Sequence, residues 1–169
     1  LRNGPGGPVV VELTADVCMK EIPEQALNYQ PPPQAQSQPS EADISAALKA
    51  LRAAKNPLLW AGQGVLMAGA TDDLKELAEL TGIPVFCTMP GKSAMDERHP
   101  LCLGAGSGLT TMAAGKWLSE CDLILALGSS LTRTFYGQPI RSNNKVLIQN
   151  TDDISAISRE ENVDIGLLG

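Results

Sequence analysis

Short, unbroken apolar runs alternate with amphipathic segments along most of this chain, and this alternation restricts the possible folds more than any other feature. The apolar runs are residues 58–61 ("LLWA"), "IPVFCTM", "DLILALG", "KVLIQN" and "VDIGLLG". Strands that are apolar at every position fit a sheet covered on both faces. Strands that alternate with helices form βαβ units. The sequence therefore predicts an α/β fold with three layers: a mostly parallel sheet with helices on both faces.

Helical spacing accounts for the segments between the apolar runs. Ser40 and Asp43 form an N-capping pattern, and the apolar face that follows comprises Ile44, Ala47, Leu48 and Leu51. Pro57 prevents a longer helix. Further helices are predicted from Thr71 to Gly82, over "LTTMAAGKWLSE" and over "DISAISREE".

The amino-terminal part has a different character. Residues 8–13, "PVVVEL", predict a short buried strand, whereas residues 28–40, "NYQPPPQAQSQPS", are rich in Pro, Gln and Ser and predict an extended linker. The predicted organisation is therefore a first segment of residues 1–27, a linker of residues 28–40 and a compact domain of residues 41–169.

Composition excludes several classes of function. A net charge of -6 and a pI of about 4.7 argue against nucleic acid or an anionic membrane as the partner. No apolar run approaches the roughly 18 residues of a membrane span. The four cysteines form no C-x-x-C motif, which predicts reduced, buried thiols in a cytoplasmic protein. A single histidine, His99, makes a zinc site improbable.

Right-handed crossovers place every strand-to-helix loop at one edge of a parallel sheet, and ligands bind at that edge. The Gly62 turn and the loops 90–108 and 128–137 are predicted to lie there. If a nucleotide binds at this edge, Gly62→Val is expected to abolish binding while the fold persists, because its side chain would fill the space of closest approach.

Two glycine motifs at this edge are incomplete. "MPGKS" ends like a phosphate-binding P-loop, but Phe86 stands where that motif needs its first glycine. Gly62 and Gly64 match the first two glycines of the dinucleotide fingerprint, but Met67 stands at the third. The Gly62 turn therefore either holds a different ligand or bends the backbone tightly.

Two further loops carry polar or glycine-rich sequence. "HPLCLGAGSG" precedes a predicted helix, whose first N–H groups could receive a phosphate, although such glycines also permit close packing of chain segments. His99 itself is expected to position the chain beside Pro100. In "GSSLTRTFYG", Ser130 and Arg133 are polar, and Arg133 either pairs with a phosphate or carboxylate or stays exposed. No arrangement of nucleophile, base and orienting group is present.

Several motifs, in this order, resemble one enzyme family: "GPVVVEL", "NPLLWAGQGV", "TGIPVFCTMPGKSAMDERHPLCLGAGSG", "CDLILALGSSLT" and "VDIGLLG". Together they are similar to the central domain of thiamine diphosphate-dependent enzymes, of the acetolactate synthase-like branch. The resemblance covers nearly the whole chain. It implies a modified Rossmann-like nucleotide-binding fold for residues 41–169, and "GPVVVEL" resembles the final strand of a preceding pyrimidine-binding domain.

The resemblance implies a longer, three-domain parent: a lyase or transferase that acts on a 2-oxo acid or a related acyl donor. Its pyrimidine-binding and diphosphate-binding domains, which hold thiamine diphosphate and Mg²⁺, lie outside this chain, so the chain alone is expected to be inactive. The parent is expected to be a homodimer or homotetramer. The central domain holds FAD in acetolactate synthases, ADP in oxalyl-CoA decarboxylase-like members and nothing in others.

The resemblance also implies which residues would contact a nucleotide. Flavin-binding relatives commonly have arginine where this chain has Ser130, and an acidic pair where it has Thr132 and Arg133. Asp152 is the nearest acidic candidate for a ribose contact. The candidate cofactor-binding residues are Gly62, Gly64, His99, Gly104, Gly128, Ser130, Arg133 and Asp152. No catalytic residue or metal ligand is expected within the chain.

Two other classes of protein remain open from the residues. One is a nicotinamide-dependent oxidoreductase domain, and the other is a non-catalytic nucleotide-binding module like the domains of electron-transfer flavoproteins. Both would use the same carboxyl edge of the sheet.

Overall fold

A computed structural model describes residues 7–33, 36–106, 109–133 and 145–169. The chain divides into two compact units, residues 1–36 and 37–169. The division falls inside the segment 28–40 that the sequence predicts as a linker.

The described residues of the first unit are all exposed. They contain a short α-helix, α1 (Ala15–Cys18), and a 3₁₀-helix (Glu24–Asn28). The prediction of a buried strand at residues 8–13 is wrong: these residues are in no strand, and Val10 is 84% exposed. A strand is maintained by hydrogen bonds to a neighbouring strand, and β-prone side chains alone do not provide them.

The second unit is built on a parallel sheet of six strands, in the order β3-β2-β1-β4-β5-β6. The strands are β1 (Pro57–Ala61), β2 (Val85–Thr88), β3 (Cys102–Gly106), β4 (Leu123–Leu127), β5 (Val146–Thr151) and β6 (Ile165–Leu168). In the centre of the sheet, Leu59 of β1 lies opposite Val85 on one side and Leu125 on the other. The predicted α/β class is confirmed.

Helices cover both faces of this sheet. They are α2 (Glu41–Ala53), α3 (Gln63–Met67), α4 (Thr71–Thr81) and α5 (Met112–Glu120). Side chains of α2, α3 and α4 share one apolar cluster with Leu59, whereas side chains of α5 share the other cluster with Leu58. Because successive strand residues point to opposite faces, the unbroken apolar runs supply both clusters.

The predicted ends of α2 and α4 agree closely with the structure. The Ser40 hydroxyl accepts a hydrogen bond from the N–H of Asp43 at 3.1 Å, which caps α2 as the sequence indicates. Helix α4 begins at Thr71 and is followed by Gly82, as predicted. None of the helices in the described ranges is long and apolar enough to cross a membrane.

Three elements differ from the sequence predictions. Strand β3 lies within a segment predicted as loop, and α3 follows directly from the predicted Gly62 turn. The segment "DISAISREE" forms only a 3₁₀-helix at Ile154–Ala156. All three are short, so pairing and packing decide their structure more than helical or strand periodicity does.

The cysteines follow the prediction only in part. Cys87 and Cys121 are buried free thiols, Cys102 is half-buried and Cys18 is exposed. Burial raises the pKa of the Cys87 thiol to about 11, so it is uncharged at neutral pH. Cys18 departs from the prediction because the helix that carries it has no buried face.

Asp122 joins the start of β4 to the turn between α2 and β1. Its carboxylate accepts hydrogen bonds from the N–H groups of Lys55 at 2.7 Å and Asn56 at 2.9 Å. Partial burial acts to raise the pKa of Asp122, but the N–H groups of Lys55 and Asn56 outweigh it and hold this pKa below its ordinary value. The carboxylate therefore fixes the entry into the central strand β1.

Asp122→Asn is expected to lower the free energy of unfolding by about 1 kcal/mol at neutral pH, because the amide has one acceptor oxygen for two N–H donors. A lowered folded-state pKa stabilises the protein above the unfolded-state value of about 3.9, and this contribution is lost as the pH falls through the folded-state value. Urea denaturation of both proteins should therefore show a deficit that shrinks on acidification.

Glu76→Gln is the matched control, since Glu76 is an exposed carboxylate on α4. It is expected to change stability by less than about 0.5 kcal/mol. Equal stability of the Asp122→Asn variant and the wild type at neutral pH would contradict the anchoring role.

Candidate functional site

The carboxyl edge of the sheet, between β1 and β4, is the candidate site. The strand order reverses there, because β1 leads to β2 on one side while β4 follows on the other. In open α/β sheets, ligands bind at such a switch point. Gly62 follows β1, Gly128 follows β4 and Asp152 follows β5, so three predicted site residues do lie along this edge.

Glycine backbones are in direct contact at the switch point. The N–H of Gly62 donates to the carbonyl of Leu127 at 2.9 Å, and the N–H of Gly64 donates to the carbonyl of Gly128 at 2.8 Å. A Cβ atom at Gly64 would lie 2.6 Å from the Cα of Gly128, and one at Gly62 would collide with the Gly128 carbonyl oxygen. The glycine turn after β1 therefore makes room for the chain after β4.

Gly128 also requires glycine for its own conformation. Its φ is +57°, in the left-handed region that other residues rarely adopt. A Cβ atom there would lie 2.5 Å from the backbone nitrogen of Val65. Both the backbone angle and the available space therefore restrict this position to glycine.

A further glycine, which the sequence analysis did not assign to the site, packs beneath this contact. A Cβ atom at Gly91 would lie 2.5 Å from the carbonyl oxygen of Ala61 and 2.8 Å from the carbonyl carbon of Gly62. Gly91 belongs to "MPGKS", the segment that ends like a phosphate-binding P-loop. Its structural role is close packing against the end of β1.

The segment after β4, residues 128–133, is called the β4 loop here. Leu131 has a φ of +52° and is 3% exposed, so burial of its side chain in the cluster with α5 holds a strained backbone. The Ser130 and Thr132 hydroxyls lie 2.9 Å apart. The Ser129 hydroxyl accepts from the N–H of Leu131 at 3.3 Å.

Two amide side chains at the end of β5 hold the β4 loop. Gln149 is fully buried, and its amide nitrogen donates to the carbonyls of Ser129 and Ala156, both at 3.1 Å. The Asn150 side-chain oxygen accepts from the N–H of Gly128 at 3.4 Å. The Asn150 side-chain nitrogen donates to the carbonyl of Gly169 at 2.6 Å. These two neutral residues thus serve internal hydrogen bonds.

Arg133 forms an internal ion pair. Its Nε donates to the Glu161 carboxylate at 2.7 Å, and its backbone N–H donates to Glu160 at 2.6 Å. The Glu161 side chain is 7% exposed, whereas that of Arg133 is 67% exposed. Of the two alternatives that the sequence leaves open for Arg133, the structure shows pairing with a carboxylate, and this carboxylate belongs to the chain itself, 28 residues away.

His99 lies at the opposite edge of the sheet from Gly62 and Gly128. Its Nε2 lies 3.1 Å from the Glu79 carboxylate, and its Nδ1 accepts from the N–H of Leu101 at 3.2 Å. Leu101 bonds the first residue of β2, so this turn is at the amino end of the strands. The placement of the whole segment 90–108 at the carboxyl edge is wrong, because the segment crosses the sheet and returns as β3.

Gly104 lies inside β3 and forms a bulge. Val85 of β2 lies opposite Cys102 but Cys87 lies opposite Ala105, which leaves one extra residue in β3. Gly104 has a φ of +91°, which suits a bulge. Gly104 is therefore in a strand. At the start of α5, the Thr111 hydroxyl accepts a hydrogen bond from the N–H of Ala114 at 3.1 Å.

The remaining polar groups give no metal centre. Asp152 is exposed and makes no side-chain hydrogen bond with the described residues. The described ranges contain no group of three His, Cys, Asp or Glu side chains that could hold a metal ion. Within the same ranges, the buried side-chain polar atoms without a partner are Trp60 Nε1 and Thr110 Oγ1. Trp60 packs against Phe86 in the cluster with α5, with ring centroids 5.0 Å apart.

Gly128→Ala is expected to lower the free energy of unfolding by at least about 2 kcal/mol. The new Cβ would collide with the backbone of Val65, and alanine would be strained at the positive φ of this position. Gly62→Val is expected to destabilise the fold as well, which corrects the expectation that the fold would persist. Chemical denaturation followed by far-UV circular dichroism measures both effects.

Gly115→Ala in α5 is the matched control, because the nearest atom to its Cβ would be 3.8 Å away. It is expected to raise stability by about 0.5–1 kcal/mol through helix propensity. A Gly128→Ala variant as stable as the wild type would show that the glycine contact does not form in solution.

Comparison with known proteins identifies the family. Residues 44–169 match the family model described as "Thiamine pyrophosphate enzyme, central domain". A probable acetolactate synthase large subunit from Methanococcus aeolicus is 33% identical over 99% of this chain and 29% of its own length. An acetolactate synthase from Mycobacterium bovis is 30% identical over 99% of this chain and 28% of its length.

A third relative agrees with these two. The acetolactate synthase large subunit of Corynebacterium glutamicum is 35% identical over 75% of this chain and 21% of its own length. The chain thus spans less than a third of the curated relatives that it matches. The match over residues 44–169 covers the sheet and every helix from α3 to α5. The chain therefore belongs to the family of thiamine pyrophosphate enzyme central domains.

Proposed function

We propose that this chain is the central part of a lyase or carboligase that uses thiamine diphosphate and acts on a 2-oxo acid or a related acyl donor. The observation that carries the proposal is the family match over residues 44–169, together with acetolactate synthases that align over 99% of the chain. The reaction takes place in the flanking pyrimidine-binding and diphosphate-binding domains, which hold thiamine diphosphate and Mg²⁺. Thiamine diphosphate supplies the carbanion chemistry for 2-oxo acids.

The contribution of this chain is structural under the proposal. Residues 41–169 would act as a scaffold between the catalytic domains. Residues 28–40 would link them to the preceding domain, and residues 1–27 would be the end of that domain. The exposed apolar side chains of residues 9–13 support this assignment, because Val9, Val11 and Leu13 are 61–75% exposed and would be buried against a neighbouring domain. None of the polar contacts that the structure describes at the carboxyl edge forms a nucleophile–base pair.

The proposed family role also suggests how the parent assembles and in which compartment it lies. The proposed partners are the flanking domains of the same parent and further copies of it, as a homodimer or homotetramer. All four cysteines are free thiols, which supports a reducing compartment such as the cytoplasm.

FAD and ADP are the nucleotides that the family resemblance suggests for this domain. The eight candidate residues do not gather into one site, since His99 lies at the amino edge and Gly104 inside β3. Ser130 and Thr132 replace charged residues of flavin-binding relatives, and Arg133 is paired with Glu161. Each missing charge-assisted contact costs about 1.5–3 kcal/mol, roughly ten- to hundredfold in affinity. We propose that the parent works without FAD.

The chain alone is expected not to bind thiamine diphosphate, because the domains that would hold both ends of the cofactor lie outside it. Calorimetric titration of the chain with thiamine diphosphate and Mg²⁺ should give no binding heat. Binding with a dissociation constant of about 1 μM would contradict the assignment of residues 41–169 to the central domain.

The full-length parent is expected to decarboxylate 2-oxo acids and to join the product to a second acyl acceptor when supplied with thiamine diphosphate and Mg²⁺. Assays with and without added FAD should agree within about twofold, and the purified parent should lack the flavin absorbance near 450 nm. A strict requirement for FAD would disprove the cofactor part of the proposal. Failure of the parent to bind thiamine diphosphate would disprove the assignment of its activity.

A further inference from the structure

We infer that the crevice between β1 and β4 is occupied by the chain's own β4 loop, so that neither FAD nor ADP places its phosphates there. In sheets with this strand order, a dinucleotide lies across that crevice, and its phosphates receive N–H groups from the turn after the first strand. The inference concerns this unit alone and is independent of the reaction of the parent.

Two N–H groups in the turn after β1, those of Gly62 and Gly64, already have acceptors. Gly62 donates to Leu127 at 2.9 Å, and Gly64 donates to Gly128 at 2.8 Å. The Gly128 carbonyl oxygen thus takes the position of a phosphate oxygen at the start of α3. A ligand would have to displace main chain to reach these donors.

The space beside the glycines is filled by main chain as well. In the dinucleotide fingerprint, the second glycine leaves space for the pyrophosphate to approach the backbone, and Gly64 stands at that position. Here the Cβ positions of Gly62 and Gly64 face the backbone of Gly128, at 2.6 Å for Gly64. The Cβ position of Gly128 faces the backbone of Val65 and Gly64 in return. The backbones of Gly62, Gly64 and Gly128 therefore pack directly against one another.

The β4 loop is held in this position from several directions. Gln149 binds the carbonyl of Ser129, the N–H of Ser129 donates to the carbonyl of Asn150 at 3.4 Å, and Leu131 is buried in the apolar cluster with α5. Swinging the loop out would break these hydrogen bonds and expose Leu131. Residues 128–131 of the β4 loop are therefore held by the chain itself.

Two described arginines along the same edge, Arg133 and Arg159, also have partners within the chain. Arg133 pairs with the buried Glu161, and the Arg159 guanidinium donates to the Thr132 hydroxyl at 2.9 Å. Arg159 also lies 4.0 Å from Glu160. The two arginines and the two glutamates balance in charge, so an incoming diphosphate would meet Glu160 and Glu161 as well as the arginines.

Amide hydrogen exchange measured by NMR on the whole 169-residue chain tests the inference. Without any nucleotide, the amides of Gly62 and Gly64 are expected to exchange at least about a hundredfold more slowly than the exposed amides of residues 9–13. Addition of FAD or ADP to about 1 mM is expected to change neither the exchange rates nor the chemical shifts of Gly62, Gly64 and Gly128.

Gln149→Met tests whether the β4 loop provides this protection. It keeps a side chain of similar size but removes the donor to Ser129, and we expect the Gly64 amide to exchange about tenfold faster. Glu76→Gln, on the exposed face of α4, should leave that rate unchanged. An unchanged Gly64 rate in the Gln149→Met variant would count against the role of the loop.

Each result for the wild-type chain decides the question. Slow exchange with no response to nucleotide supports the occupied crevice, and so does a nucleotide that shifts resonances elsewhere only. Rapid exchange of Gly62 and Gly64 without ligand would overturn it. Protection or shifts of these amides on addition of FAD or ADP would overturn it as well.

Discussion

The contact between the turn after β1 and the turn after β4 is the constraint on which the rest of the second unit depends. Gly62 and Gly64 can approach Gly128 only because none of them has a side chain. This approach aligns the two central strands, which pair along their whole length from Pro57 opposite Leu123 to Ala61 opposite Leu127. The parallel sheet extends from these two central strands, with β2 and β3 on one side and β5 and β6 on the other.

The same contact explains why a fold of nucleotide-binding type need not bind a nucleotide. The strand order and the first two glycines follow the usual arrangement, but the N–H groups of Gly62 and Gly64 donate to protein carbonyls. Three polar side chains near this edge instead join the β4 loop to β5 and to Glu161: those of Gln149, Asn150 and Arg133. Fold alone therefore does not establish a ligand, whereas the direction of each donor is informative.

Family membership gives this architecture a role. In a longer thiamine diphosphate enzyme, a central unit with its ligand edge filled by its own loop would contribute rigidity and spacing between the catalytic domains. The buried apolar clusters on both faces of the sheet suit that role, since Leu58, Leu59, Ile124 and Ile148 are fully buried. Under the proposed function, the exposed apolar residues of the first unit would pack against a neighbouring domain.

The sequence by itself determined the α/β class, the caps of α2 and α4 and five of the strands, because apolar runs and capping residues act locally. It could not determine β3, whose glycines give no strand signal, or the fate of residues 8–13, because pairing depends on a partner. The arrangement of the candidate site was even harder to predict from the sequence. His99 and Gly104 lie away from Gly62 and Gly128, because the chain between β2 and β3 crosses from the carboxyl edge of the sheet to its amino edge. The partners of Gly128 and Arg133 lie tens of residues away, so only the tertiary structure, which brings distant main chain and charges together, decided what occupies the edge.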